Sequence, residues 1–332
     1  MKPKILNLLS DERMGGVKTS LNSLMNSRLQ EKFEFAIAPL NRARASIKNL
    51  QPEIIIVHDA CSWKILPSLL ALKFLKGKAK LVILDHHYSE SFERLKVTNP
   101  QRFRLMLKLC HWCCDRLLLV SHAQGLWMRK YKLVRSPKLT IIQQSLNCDL
   151  FLELPPKPIS KPLTFAAYGR FEEQKGFDIL LQAVNLIPHV DFQLKIAGYG
   201  ADEAQLQQLV TGNPHVQFVG KIQDVPAFLN DCDVVIIPSR WEPWGNVCLE
   251  ARAAGKPAIV SAVDGLVEQI QECGLFVKSD NPQTFAKAIA QVCEMTPEEL
   301  SAWGSKGRES AINAWDEHLT AWEEMLCQLL GN

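Results

Sequence analysis

The sequence has no apolar run approaching the ~20 residues a membrane span requires. The opening Met-Lys-Pro-Lys-Ile-Leu-Asn-Leu-Leu-Ser holds too short an apolar stretch for a signal peptide. A soluble or peripheral, cytoplasmic protein is therefore expected. There is no internal repeat and no low-complexity tract, which excludes solenoids and propellers. Gly-x-Gly-x-x-Gly is missing after every strand-like segment. Gly15-Gly16 and Gly198-x-Gly200 lack that spacing, so a nicotinamide dehydrogenase is excluded. Cys110-His-Trp-Cys113-Cys114 has one Cys-x-x-Cys step, but no second pair with ligand spacing follows, so no zinc site is expected. The 10 cysteines are scattered through mostly apolar segments of a chain long enough to fold without staples. They read as reduced, buried thiols of a cytosolic protein.

What is present is a globular composition. The 332 residues are 47% hydrophobic and 22% charged, enough for two domains with separate cores. The formal net charge of +3 conceals a split. Residues 1–155 hold 25 Lys+Arg against 12 Asp+Glu, and residues 156–332 hold 13 against 23. One basic half and one acidic half point to an anionic partner for the first.

The first half alternates β-type runs (Ile5–Leu9, Phe33–Ala38, Ile54–His58, Ala79–Leu84, Arg116–Val120, Leu139–Ile142) with helical patterns (Val17–Leu29, Arg42–Leu50, Trp63–Leu75, Pro100–Cys114, Ala123–Tyr131). Such alternation predicts a parallel sheet with helices on both faces. Leu154-Pro-Pro-Lys-Pro-Ile-Ser-Lys-Pro162 can continue neither helix nor central strand and reads as a linker. The alternation then restarts at Leu163 and runs to Ala258–Ser261. The fold class is therefore α/β, with two doubly wound domains facing a cleft. The expected division is 1–155, 156–312, and a C-terminal helix 313–332 that crosses back to the first domain. Residues 315, 319, 322, 326 and 329 form that helix's apolar stripe.

Two segments carry chemistry. In Tyr168-Gly169-Arg170-Phe-Glu-Glu-Gln-Lys175-Gly176 a strand ends beside two cations and a helix start, an arrangement that suits a pyrophosphate as well as it suits two solvated charges. In Pro238-Ser-Arg-Trp241-Glu242-Pro-Trp244-Gly245-Asn246-Val247-Cys-Leu-Glu250 one glutamate precedes a helix and the other lies in its second turn. Carboxylates accept hydrogen bonds from sugar hydroxyls, and first-turn amides suit a phosphate. A sugar nucleotide matches both. Trp241 and Trp244 flank Glu242, where they either stack on a sugar or pack the loop.

With these residues in view, the chain resembles the GT-B glycosyltransferases of the large retaining family numbered 4, the glycosyl transferases group 1. The likeness rests on Gly169-Arg170…Lys175-Gly176 and on Ser-x-x-Glu242-x-x-Gly245…Leu-Glu250-Ala. Ala197-Gly198-Tyr-Gly200 and Phe218-Val-Gly220-Lys221 are similar to its nucleotide loops, and Asp264-Gly-Leu-Val-Glu268 to its Gly-Gly-x-x-Glu turn, with Asp for the first Gly. Met14-Gly15-Gly16 resembles its flexible donor loop, and His86-His87 its donor-sugar histidine, with His86 preferred and the register open. His58 is expected to be structural or to line the acceptor side. Gln144-Ser145 stands where the family has Asn-Gly before the hinge, and the first domain is short.

The resemblance implies a retaining transfer of a sugar from a nucleoside diphosphate sugar to an acceptor hydroxyl, on a saccharide or lipid-linked glycan. Arg170, Lys175, Glu242 and His86 are then catalytic. Gly15, Gly16, Gly169, Gly198, Gly200, Gly220, Lys221, Gly245, Asn246, Val247 and Glu250 bind the donor, with Glu250 on the ribose. No metal and no further cofactor is expected, and no nucleic acid. The basic first half suggests an anionic acceptor or an anionic membrane surface, on the inner face of the membrane. The alternative is a catalytically silent nucleotide-sugar-binding subunit.

Overall fold

The computed structural model of the protein describes residues 1–10, 16–278 and 280–331. It divides into two compact units, Met1–Asn147 with Trp315–Asn332, and Cys148–Ala314.

The sheet of the first unit comprises β1 (Lys4–Leu8), β2 (Glu34–Ala38), β3 (Ile54–Val57), β4 (Lys80–Asp85), β5 (Arg116–Leu119) and β6 (Leu139–Ile141). All neighbours pair in parallel, in the order β2-β1-β3-β4-β5-β6. The centre of this sheet is apolar on both faces. All four residues of β3 are buried, as expected for a parallel strand covered by helices on each side. The expected helix Val17–Leu29 is shorter: it spans Gly16–Met25 and gives way to a 3-10 turn, Arg28–Glu31, whose N-cap is Ser27. The Asn26-Ser27 pair competes for the backbone and stops the helix. Helix Glu90–Lys96 escaped the sequence reading because it is only two turns long; Ser89 caps it by accepting from the Phe92 amide.

The second unit contains β7 (Leu163–Arg170), β8 (Phe192–Tyr199), β9 (Val216–Gly220), β10 (Val234–Ile237), β11 (Ala258–Ser261) and β12 (Gly274–Val277), again all parallel, in the order β12-β11-β10-β7-β8-β9. The sequence pattern shows neither β12, a half-exposed edge strand, nor the helices Pro282–Glu294 and Pro297–Ala311. The last of these carries Gly304 and Gly307, which lower its intrinsic propensity. A Thr296/Glu299 capping box and packing against helix Asn246–Ala253 hold it.

The boundary between units falls at Asn147, ahead of the proline-rich stretch and not within it. Cys148 lies near Glu250 and Arg252, and the short helix Asp149–Leu152 packs on helix Asn246–Ala253 and buries Phe151. Helix Ala314–Leu330 buries Leu319, Trp322, Met325, Leu326 and Leu329, and belongs to the first unit from Trp315. Its acids meet the basic surface there: Asp316 accepts from Arg28 at 2.6 Å, and Glu323 pairs with Lys32. Counted by unit, the first has 25 basic and 14 acidic residues, a net of +11, and the second a net of −8. All ten cysteines are free, and Cys113 and Cys114 donate to the carbonyls of Leu109 and His111.

Candidate active site

In the second sheet, chain order runs outward from β7 in opposite directions on its two sides. The carboxyl ends of β7 and β10 thus flank a topological switch point, where doubly wound sheets leave a crevice. Arg170 is the last residue of β7, and Lys175 ends the 3-10 turn Glu173–Lys175 that follows. Ser239 and Glu242 follow β10, and helix Asn246–Ala253 then begins at the N-cap Gly245.

Lys175 Nζ donates to Glu242 Oε2, and Ser239 Oγ donates to the same oxygen at 3.3 Å. The Lys175 and Glu242 side chains are 19% and 10% exposed, so this is a largely buried ion pair. The backbone of Glu242 is fixed as well: its amide donates to Asp264 Oδ2 at 3.1 Å, and its carbonyl accepts from the Gly265 amide at 3.1 Å. Arg240 clamps the loop from outside with a bidentate bond to Asp178 (2.8 and 2.7 Å) and a bond to Asp280 at 2.8 Å. Arg170 is half exposed and pairs with Glu172 at 3.1 Å, a contact weak enough to exchange for a ligand anion.

Glu250 accepts from the Tyr168 hydroxyl at 2.6 Å. Burial pushes the Glu250 carboxyl above its usual range, against the pull of that bond and of the Lys175 charge. Burial, and then the neighbouring carboxylate, push the Tyr168 hydroxyl well up, so it remains a donor. Gly245 has φ of 98°, and a Cβ there would stand 2.7 Å from Leu266 Cδ2; only glycine starts this helix so close to its neighbour. The N-cap Gly245 has no side chain to cap the helix with, and Asn246 and Val247 are half-buried at its first turn. Trp241 and Trp244 are 8% and 6% exposed, which resolves their role as packing of the loop and not as an open stacking platform.

Gly169, Gly198 and Gly200 lie where β7 and β8 end, and Gly220 ends β9. A Cβ on Gly198 would stand 1.9 Å from the Gly169 carbonyl, so this glycine is required by strand approach whether or not a ligand is near. Lys221 lies over the Tyr199 ring, 5.1 Å from its centroid, two strands away from the switch point.

The first unit has its own switch point, between β1 and β3. Gly16 opens helix Gly16–Met25 and is exposed; Gly15 lies outside the described residues. His58 follows β3 and His86 follows β4, and their rings stack 5.5 Å apart. A chain of contacts runs Asn7 Oδ1···His58 Nε2 (3.0 Å), His58 Nδ1···His86 Nε2 (3.3 Å), His86 Nδ1···Gln144 Oε1 (3.1 Å). Burial holds His58 down at about 3 and His86 well below the usual histidine range, so both rings are neutral. Two neutral rings supply two protons for three links. Turning the Gln144 amide so that its NH2 faces His86 satisfies all three, because Gln144 Oε1 then accepts from the Ser20 hydroxyl on its other side. Asn7 cannot turn instead, since its Nδ2 faces the Ala36 carbonyl. Both nitrogens of His86 are thus engaged within the unit, and His87 Nε2 contacts the His58 carbonyl at 3.0 Å.

Four contributors escaped the sequence reading, Tyr168, Ser239, Arg240 and Asn7, while Asp264 and Gln144 stood out only as departures from the family's pattern. Tyr168 carried a signal, since it lies two residues before Arg170 and so on the same face of β7. Asp264 stands in place of a glycine; it sits at φ of 43°, and its carboxylate takes up the Glu242 amide. Asn7 gave no signal, because its partner His58 lies 51 residues away. Together the second unit's groups offer two cations, a helix start and two carboxylates, which are the requirements of a sugar nucleotide. Among the described residues no three His, Cys, Asp or Glu side chains gather as metal ligands.

Comparison with known proteins agrees with this geometry. Residues 154–310 match the family model described as Glycosyl transferases group 1. A lipopolysaccharide core biosynthesis glycosyltransferase, LpsE, of Rhizobium meliloti is 35% identical over 140 residues, 41% of this chain and 40% of that protein. The chain likewise spans under two thirds of two uncharacterized glycosyltransferases of Methanocaldococcus jannaschii that it matches. Sucrose-phosphate synthase of Thermosynechococcus elongatus superposes over 100% of both chains with a TM-score of 0.82 at 19% identity. Anabaena HepE, solved in complex with UDP, does so over 100% of both chains with a TM-score of 0.77 at 16% identity. The chain has the GT-B fold, and its residues 154–310 carry the domain of the glycosyl transferases group 1.

Proposed function

We propose that the protein is a retaining glycosyltransferase that moves a sugar from a nucleoside diphosphate sugar to an acceptor hydroxyl on an anionic or lipid-linked saccharide. The observation that carries this reading is the switch-point cluster: Lys175 held on Glu242, with Arg170 at the end of β7 and a helix that starts at Gly245. A departing diphosphate gains charge as the glycosidic bond breaks, and preorganised cations and amides stabilise that charge most in the transition state. Arg170 exchanges Glu172 for phosphate, while Lys175 shares its charge between Glu242 and the leaving group. Glu250, oriented by Tyr168, accepts from the ribose hydroxyls, and Glu242 accepts from the transferred sugar. A glycosidase needs carboxylates facing each other across the scissile bond. Glu242 and Glu250 stand at one helix start instead, so neither is assigned as a nucleophile.

The cations and the helix dipole supply the positive charge, and no metal is required; activity of the purified enzyme that disappears with chelator and returns with a divalent ion would oppose this. The donor reading is supported by HepE and its UDP, and the acceptor reading by the name of LpsE. A thermal-shift screen of nucleotide sugars tests the proposal. A ligand that binds only the folded state raises stability by RT ln(1+[L]/Kd), about 2.7 kcal/mol at a hundredfold excess over Kd. No shift with any nucleoside diphosphate or its sugars, and no nucleoside diphosphate released in the presence of acceptor extracts, would refute it.

A further inference from the structure

Two neighbouring helices of the first unit carry an unusual outer face. Helix Leu66–Leu75 links β3 to β4, and helix Pro100–Cys113 precedes β5. They pack side by side and run parallel: Arg102 lies over the Trp63 ring near their starts, and Lys73 Nζ lies 3.0 Å from the Trp112 ring centroid near their ends. Their inner residues, Leu69, Leu72, Met106, Leu107 and Cys110, are buried. Their outer residues are not uniformly polar. Trp63, Phe74, Leu75, Leu105, Leu109 and Trp112 are exposed, Phe74 by 79% and Trp112 by 56%. They are six of the sixteen large exposed apolar residues among those described, five on the two helices and Trp63 in the turn before the first. On the longer helix, positions 102, 105, 108, 109 and 112 form one solvent-facing stripe at three-four spacing, with Arg102 and Lys108 interleaved among the apolar groups.

The charge on these segments has one sign. Residues 63–78 and 100–113 contain seven Lys or Arg (64, 73, 76, 78, 102, 104 and 108) and no Asp or Glu. A protein partner with a mixed surface does not require complete exclusion of acids over thirty residues. A bilayer carrying anionic lipid does, because every acid on the docking face is repelled while long cationic side chains stretch to the headgroups. Exposed Trp and Phe at the level of those cations match the interfacial zone. No helix among the described residues is long and apolar enough to cross a membrane, so the face rests on the surface.

We propose that this face, built by Phe74, Leu105, Leu109 and Trp112 and ringed by Lys73, Lys78, Arg102 and Lys108, docks the first unit onto an anionic lipid bilayer. The inference rests on the proposed lipid-linked or anionic acceptor for its purpose, but not for its test.

The experiment is co-sedimentation of the full chain with vesicles of phosphatidylcholine alone, and with phosphatidylglycerol added to 30%, at low and at high salt. Binding is expected only to the anionic vesicles and is expected to weaken with salt. Lys78→Glu/Lys108→Glu is expected to reduce partitioning by at least about thirtyfold, from about 1 kcal/mol per cation near a charged surface. Phe74→Ser/Trp112→Ser is expected to abolish it at the same charge. Circular dichroism and a nucleotide-induced thermal shift on each variant report whether the fold and the donor site persist; Leu105→Gln serves as a milder third variant should either double variant unfold. Equal binding to neutral vesicles, no binding to anionic ones, or full binding by folded variants would overturn the proposal. Vesicle binding without any nucleotide shift would count against the donor reading alone, and a nucleotide shift without vesicle binding against docking alone.

Discussion

Lys175→Ala separates the two tasks this side chain performs. Arg170 and Lys175 look alike in the sequence, but the structure gives them different costs. Arg170 is half exposed and its pair with Glu172 is a surface pair, worth about 0–1 kcal/mol. Its removal should leave the melting temperature nearly unchanged. Removing Lys175 leaves the Glu242 carboxylate, 10% exposed, with the Ser239 hydroxyl as its one remaining side-chain donor among the described residues. Breaking a fully buried pair from one side costs about 3–5 kcal/mol. With both partners in partial contact with solvent and one donor left, about 2 kcal/mol is expected, or about 4–8 °C for a unit of this size. Both variants should lose about 10²–10³ in kcat, the usual consequence of deleting one preorganised donor to developing charge. A third variant, Lys175→Met/Glu242→Gln, removes both charges; it should recover most of the lost stability and none of the activity. The assays are differential scanning calorimetry and steady-state release of nucleoside diphosphate from the donor that the thermal-shift screen selects. Near-native turnover by Lys175→Ala would refute the catalytic argument. An equal loss of stability in the single and double variants would refute the buried-pair argument.

Glu250 sits in the second unit with its carboxyl pushed up by burial. An acid whose folded value is raised binds a proton more readily in the native state, so it costs stability as pH rises past its unfolded value near 4.5. Glu250→Gln should therefore melt higher than wild type at pH 7, match it below about pH 4, and bind nucleotide more weakly. His58 behaves oppositely: its folded value of about 3 against an ordinary 6.5 means that the unfolded chain takes up the proton first. The stability conferred by its neutral, buried state is whole above 6.5 and is lost as pH falls from there toward 3, by on the order of 5 kcal/mol at the limit; urea melts from pH 7 to pH 4 should show this slope, and His58→Asn should reduce it, the buried His86, His111 and His318 supplying the rest. Gly245→Ala should destabilise the second unit by about 1–3 kcal/mol through its left-handed backbone and the contact with Leu266, read as a lower urea midpoint with unchanged slope.

The alternation of apolar strands and helical patterns was enough to predict two parallel sheets, because a strand buried on both faces must be apolar along its whole length, as Ile54–Val57 is. Gly169-Arg170, Lys175, Glu242 and Gly245 stood out for a similar reason: turns, helix starts and strand ends have local chemical requirements that a short window of sequence displays. Where local preference was weak, the pattern was silent. The glycine-bearing helix Pro297–Ala311 and the edge strand β12 exist because tertiary packing holds them. The sequence also could not say whether Trp241 and Trp244 faced a ligand or the core, because a tryptophan serves in either place; burial decided it.

The sequence by itself determined which residues carry charge and where the two strands that lead into them end, and so which cations and carboxylates could reach an anionic ligand. Only the tertiary structure decided how those charges are shared. It placed Lys175 on Glu242 and Tyr168 on Glu250, and it joined Asn7, His58, His86 and Gln144 in one hydrogen-bonded chain. Such partners come from elements 67, 82 and up to 58 residues apart. Strand order brings them together, and a sequence read along its length has no term for strand order.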